Sequence, residues 1–145
     1  MIEPCKIFFW SKASNPEHRF LSNFAESPII IDGKLYKTVE NYYQAMKFED
    51  EWKQEQVRTA TPARAKQFGH MWPLSGNWEE RKEEVMLKAL REKFKQNEVL
   101  KEKLLKTDNC ELHEDSPHDM YWGVKGKDRL GKMLMQVRDE LRSSQ

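Results

Sequence analysis

Thr38-Val39-Glu40-Asn41-Tyr42-Tyr43-Gln44-Ala45-Met46-Lys47-Phe48 contains neither glycine nor proline and reads as a helix running through Phe48. Thr38 suits the N-cap, where its hydroxyl accepts from a free amide of the first turn. On a helical period Glu40, Gln44 and Lys47 stand at i, i+4 and i+7, so an acid, an amide and an amine share one stripe. Val39, the tyrosines, Met46 and Phe48 supply apolar surface beside it. That combination fits a half-buried polar site, and it equally fits a solvated Glu/Gln/Lys face.

Around this stretch the chain reads as mainly α with a few short β-strands. Phe8-Phe9-Trp10, preceded by Ile7, is an apolar run long enough for a buried strand. Ser11 to Arg19 is polar, with a turn signal at Asn15-Pro16, and Ser22 and Asn23 sit between apolar neighbours. Asp32-Gly33 between Ile29-Ile30-Ile31 and Lys34-Leu35-Tyr36 predicts a β-hairpin, because that dipeptide suits a turn of positive φ. Asp50 to Thr59 suggests a second helix. Thr61-Pro62 opens a short one over Ala63 to Phe68, which Gly69 is expected to end, leaving His70 to Gly76 as loop. Asn77 caps the longest helix, whose buried face is marked by Val85, Met86, Ala89, Leu90 and Phe94. Asn97 opens another helix, Cys110 to Glu114 alternates weakly like a strand, and Leu130, Met133, Leu134, Val137 and Leu141 stripe a closing helix.

The 145 residues are enough for one domain burying most of its unfolded surface. A net charge of +1 gives no electrostatic footprint of a nucleic-acid binder. Five Trp, four Tyr and seven Phe favour a packed core. No apolar run is long enough to span a membrane, and Met1 to Cys5 lacks the features of a signal peptide, so a cytoplasmic protein is expected. Cys5 and Cys110 have no metal-ligand or CxxC spacing and are expected to be free thiols. No P-loop, GxGxxG or GxSxG occurs, and the four histidines stand singly, so neither a metal nor a cofactor is indicated. Asp119 ahead of Tyr121-Trp122-Gly123 places a carboxylate beside stacking surfaces and a flexible backbone. Lys127, with Lys125 and Arg129, forms a basic patch near glycines that suits phosphate, or an ordinary turn before a helix.

Read together, Phe9-Trp10-Ser11, Leu21-Ser22-Asn23-Phe24, the Asp32-Gly33 hairpin, Thr38 to Phe48, Asn77-Trp78, Val85-Met86, Ala89-Leu90, Lys93-Phe94, Leu104-Leu105, Asp119, Tyr121-Trp122-Gly123, Gly126 and Leu130-Gly131 with Leu134-Met135 resemble the NADAR family, also called YbiA-like. The resemblance spans nearly the whole chain and implies one compact, mostly helical domain over residues 1–145 with N-glycosidase activity and no cofactor. The family's substrates join C1 of a ribose phosphate to an exocyclic nitrogen of a base. The resemblance implies removal of ADP-ribose from guanine in DNA, paired with an ADP-ribosyltransferase toxin. It also admits hydrolysis of early riboflavin-pathway ribosylaminopyrimidine phosphates, the second choice. The Gly-rich run usual after the Trp-Gly pair is shortened here, and Asp128 stands where Asn is usual.

Two chemical routes fit these residues. In one, Lys47 attacks C1 of the opened sugar and displaces the base by transimination, with Glu40 moving protons. In the other, Glu40 or Asp119 activates water against an oxocarbenium-like centre while Lys47 binds phosphate. Trp78 and Trp122 are candidates for stacking on the base or for the core, Ser11 and Asn23 for hydrogen bonds to sugar or phosphate, and Gln44, Gly123 and Lys127 complete the expected substrate-binding set. A non-catalytic ADP-ribose binding module is the remaining alternative.

Overall fold

The structure is a computed structural model that describes residues 5–12 and 15–145. Met1 to Pro4, part of the stretch read for a signal peptide, and Ala13-Ser14 of the polar segment lie outside the described residues. In chain order the elements are β1 (Lys6–Phe9), a 3₁₀ helix (Pro16–Leu21), β2 (Ile29–Ile31), β3 (Lys34–Tyr36), α1 (Val39–Ala45), α2 (Glu51–Arg58), α3 (Pro62–Met71), α4 (Trp78–Gln96), α5 (Glu98–Leu105), β4 (Glu111–Glu114) and α6 (Arg129–Ser143). The fold is mainly α with a few short strands. Its contacts divide into two units, one built from residues 23–97 and one from the segments before and after it.

In the unit of residues 23–97, α1 packs against α2, α3 and α4, while α4 also covers β2. Thr38 Oγ1 accepts from the Asn41 amide at 3.1 Å, the expected cap. Asn41 then reaches outward, donating to the Val57 and Ala60 carbonyls at 2.9 and 2.8 Å, which closes the free end of α2. The hairpin turn forms as read, with Asp32 at φ 52° and Gly33 at φ 77° joining antiparallel β2 and β3. Only a residue tolerant of left-handed backbone fits there. Val39, Val57, Ala89, Leu90 and Phe94 are fully buried. Burial of each larger side chain among them contributes ~1.5–3 kcal/mol.

Two boundaries and the bonding of one cap differ from the sequence reading. The α-helix of the central stretch stops at Ala45, not Phe48: Lys47 N bonds Gln44 O at 3.2 Å and Phe48 N bonds Ala45 O at 3.2 Å, the tighter i→i+3 closure common at helix ends. α3 continues through Gly69 to Met71, so that glycine does not terminate it. Asn77 occupies the cap position of α4 without a side-chain bond.

In the other unit, β1 and β4 pair in parallel with Lys6 opposite Glu111 and Phe9 opposite Glu114. Cys5 and Cys110 directly precede that first pair, and the register brings their Cα atoms within 4.5 Å. They form a disulfide, which overturns the expectation of free thiols. α6 lays Leu130, Met133, Leu134 and Val137 into this unit's core, against β4 and α5.

Candidate active site

Every residue of α1 is buried, including its polar ones. Glu40 is 7% exposed, Gln44 3% and Lys47 7%, so the stripe is not a solvated face. Gln44 Nε2 donates to Glu40 Oε1 at 2.7 Å, the i→i+4 pair the spacing predicts. A carboxylate only accepts, so this bond fixes the amide's orientation and turns Gln44 Oε1 away from Glu40. That oxygen is buried and has no hydrogen-bond partner in the protein. Asn23 also carries such an oxygen: its backbone carbonyl accepts from Glu40 N at 3.1 Å, its Nδ2 has a contact to Met86 Sδ at 3.5 Å, and its buried Oδ1 has no partner. An unsatisfied buried acceptor costs ~1–3 kcal/mol, and hydroxyl or amine donors on a substrate would remove that cost.

Lys47 follows the end of α1, and its backbone is held from both sides. Its amide bonds Gln44 O, and its carbonyl accepts from Ser75 N at 2.9 Å. Arg81 of α4 reaches the neighbouring Met46 carbonyl at 3.4 Å and Ser75 Oγ at 3.3 Å, placing a guanidinium at the helix C-terminus. The Lys47 amine lies 5.6 Å over the Tyr43 ring. Burial lowers its pKa below the ordinary lysine value; Glu40 and Glu79 pull it up, and Lys66 and Lys82 push it down. A less basic amine is a better nucleophile near neutral pH because more of it is unprotonated.

Gly69 lets α3 meet this cluster. A Cβ at that position would stand 1.8 Å from Gln44 Oε1 and 3.3 Å from Lys47 Nζ. The helix backbone thus forms one wall of the site, and any side chain there would occupy the space now held by the Gln44 amide.

Glu40, Gln44, Lys47, Asn23 and Trp78 all belong to the unit of residues 23–97; Ser11, Asp119, Trp122, Gly123 and Lys127 belong to the other. Trp78 is 3% exposed, with the Tyr43 ring edge-on at 5.1 Å and the Arg81 guanidinium 5.8 Å from its centroid, so it is packed as a core residue. Trp122 is 8% exposed and meets Tyr121 edge-on at 4.8 Å. Asp119 Oδ1 accepts from the Tyr121 and Trp122 amides at 3.0 and 2.8 Å, so its carboxylate organises the turn that carries Trp122. Gly123 packs against the Asp119 carbonyl, which a Cβ would approach to 2.6 Å. Ser11 is half-buried in the turn after β1. Lys127 is exposed, its amine 5.2 Å over the Tyr121 ring. Asp128, at φ 54°, pairs with His113 Nδ1 at 2.6 Å, and His113 Nε2 contacts Glu111 at 3.2 Å. Either Asp or Asn tolerates that left-handed backbone, but only Asp sets a carboxylate against the His113 ring.

The sequence reading missed Gly69, Arg81, Lys66 and His70. The signal for the last two was present: from Thr59 to Trp78 the chain carries Arg64, Lys66 and His70 and no acid. Among the described residues no group of three or more His, Cys, Asp or Glu side chains is placed to hold a metal ion, and no helix is long and apolar enough to cross a membrane.

The NADAR domain profile matches residues 8–142, running through both units. This chain belongs to the NADAR domain family. N-glycosidase YbiA of Escherichia coli is 44% identical over 142 residues, covering 93% of this chain and 88% of that protein. The NMR structure of E. coli YbiA superposes with a TM-score of 0.87 at 42% identity, covering 99% of this chain and 89% of that one. A riboflavin biosynthesis protein of Vibrio vulnificus is 38% identical over 143 residues, which are 93% of this chain but only 38% of that longer protein. The NADAR chain described here is accordingly an enzyme of the N-glycosidase class, a hydrolase of N-glycosyl bonds.

Proposed function

We propose that the chain hydrolyses a ribosylaminopyrimidine phosphate, a glycosylamine in which C1 of ribose phosphate is bonded to an exocyclic amine, and that Glu40 and Lys47 carry the reaction. The observation behind this is the buried Lys47 amine, made less basic by burial and set just past the end of the short helix that carries a carboxylate whose partner amide is fixed. A glycosylamine opens to an imine when its ring oxygen gains a proton, which Glu40 supplies. The neutral Lys47 amine adds to C1, the base departs as a free amine after taking a proton, and C1 remains bonded to Lys47 as an imine. Water then adds to C1, ribose phosphate leaves as the aldehyde, and Lys47 is regenerated. One water is consumed and one C–N bond is broken.

Asp119, engaged by two backbone amides, is assigned a structural role, which leaves proton transfer to Glu40. Gln44 Oε1 and Asn23 Oδ1 would accept from sugar hydroxyls. The riboflavin-biosynthesis name of the Vibrio relative favours the pyrimidine substrate. ADP-ribose on guanine in DNA, the first expectation from the family resemblance, and a toxin partner are not named in the relatives described above. A phosphorylated substrate does not cross membranes, which supports the cytoplasm as the compartment.

The test is a paired turnover assay with Glu40→Gln as control. One arm offers the ribosylaminopyrimidine phosphate and the other an oligonucleotide bearing guanine-linked ADP-ribose. Release of ribose phosphate from the first, abolished in the variant, is expected. Turnover confined to the oligonucleotide would refute the substrate, and binding of either ligand without turnover would refute the enzymatic reading in favour of a binding module.

A further inference from the structure

α3 carries charge that the chemistry above does not use. Its Ala65 and Gly69 are buried, whereas Lys66 and His70, one turn apart, are exposed. The Lys47 amine reaches this helix within one turn of both, since it lies 3.3 Å from where a Gly69 Cβ would stand. Lys66 Nζ stands 5.9 Å over the ring of Phe24, the neighbour of the Asn23 whose carbonyl binds Glu40 N. The Lys47 amine, Lys66 and His70 therefore meet the same stretch of α3.

Neither Lys66 nor His70 forms an ion pair among the described residues. Glu79, one acid that acts on Lys47, is paired with Lys82 at 2.6 Å. Glu40 accepts from Gln44 and, with Glu79, acts on Lys47 and not on His70. Burial lowers the pKa of His70, and the charges of Lys47 and Lys66 lower it further, so protonation of the imidazole is disfavoured in the unliganded protein. An arrangement of that kind is relieved by an anion.

We propose that Lys66 and His70 form the phosphate subsite, holding the phosphate of the substrate so that C1 of the sugar meets the Lys47 amine. The assignment rests on the N-glycosidase reading for its consequence, but the anion site itself does not. It also moves the expected phosphate contact away from Lys127. That lysine's amine lies over Tyr121, and its neighbour Asp128 is paired with His113. With phosphate seated, the Lys66 charge is neutralised and the protonated form of His70 is favoured. The subsite thereby discriminates phosphorylated from unphosphorylated ribosylamines, and phosphate bound there fixes the reacting carbon before bond cleavage.

The experiment follows the His70 ring protons by NMR through a pH titration of the full chain, without ligand, with inorganic phosphate and with pyrophosphate. Both anions are expected to raise the His70 midpoint, and Lys66→Gln to weaken the response at least tenfold, with Lys66→Arg restoring much of it. Lys88→Gln, an exposed change on α4, should respond like the wild type. Tighter response to phosphate assigns a monoester and tighter response to pyrophosphate a diphosphate; either supports the subsite. A His70 midpoint indifferent to both anions, or an unaltered response in Lys66→Gln, overturns it. Turnover measured on the same samples separates the two claims. An anion response without turnover would sink the glycosidase reading alone. Turnover whose KM is unchanged in Lys66→Gln would sink the subsite alone.

Discussion

Replacing Gly69 with alanine should damage the site far more than the fold. The added Cβ would stand 1.8 Å from Gln44 Oε1 and 2.7 Å from Gln44 Cδ. Ordinary contact begins near 3.4 Å, so amide and helix must separate by about 1.6 Å, the difference 3.4 − 1.8. Gln44 is 3% exposed and tied to Glu40 at 2.7 Å, which leaves it little room. Alanine in a helix gains ~1 kcal/mol over glycine, whereas overpacking costs ~1–3 and a lost hydrogen bond to a charged group ~1.5–3. A net loss of roughly 1.5–5 kcal/mol follows, which most domains of this size tolerate at its lower end. Displacement of reacting groups by ~1 Å costs on the order of 100-fold in rate. Urea unfolding would measure the first quantity and turnover the second. Gly76→Ala is the control, since nothing lies within 4 Å of its Cβ position. Truncating Gln44 to alanine clears the same space, so the double variant should lose less than the sum of the singles. A folded Gly69→Ala protein with wild-type kcat/KM would refute the reasoning.

Other outcomes follow from single features of the structure. If the unprotonated Lys47 amine reacts, kcat/KM rises with pH along a limb below the ordinary lysine value of 10.5, and Lys66→Gln, by removing a charge that lowers Lys47, moves the limb upward; a pH–rate profile unaltered in that variant would contradict it. Lys93 is 0% exposed, and burial lowers its pKa to about 7. Because the unfolded chain keeps that proton up to about 10.5, stability should climb between pH 7 and 10.5 by up to ~1.4 kcal/mol per pH unit and show no such contribution below 7. Lys93→Met should flatten the climb and add most stability at pH 7 and below, as denaturant unfolding across that range would reveal. The Cys5–Cys110 bond closes a loop of 105 residues, so reductant should lower stability by ~2–5 kcal/mol in the wild type and have no effect on a Cys5→Ser/Cys110→Ser chain.

Much of this architecture was legible because local chemistry determines it. The Asp32-Gly33 turn, the Thr38 cap and the 3.6-residue stripes of α4 and α6 depend on neighbours in sequence, and each stands where it was expected. What was not legible depends on partners far along the chain. The Cys5–Cys110 pair follows from the parallel register of β1 and β4, which no spacing encodes. Gly69 carries the same letter whether it ends a helix or admits a neighbouring amide, and only the approach of Gln44 decides. Burial of the Glu40, Gln44 and Lys47 stripe was one of two readings of one spacing, settled by α2, α3 and α4 closing around α1. Lys66 and His70 are hinted at only by the acid-free run around them, since exposed lysines and histidines are common; what sets these two apart is the buried Lys47 amine against the same helix.

The account stands on the assignment of Lys47 as the group that bonds to C1. Sodium borohydride added during turnover of the ribosylaminopyrimidine phosphate would reduce an imine to a stable amine, and peptide mass spectrometry would locate it. A ribose phosphate adduct on Lys47, absent from the Lys47→Ala protein, is the predicted result; efficient turnover with no trapped adduct, or an adduct on another lysine that persists in Lys47→Ala, would contradict it.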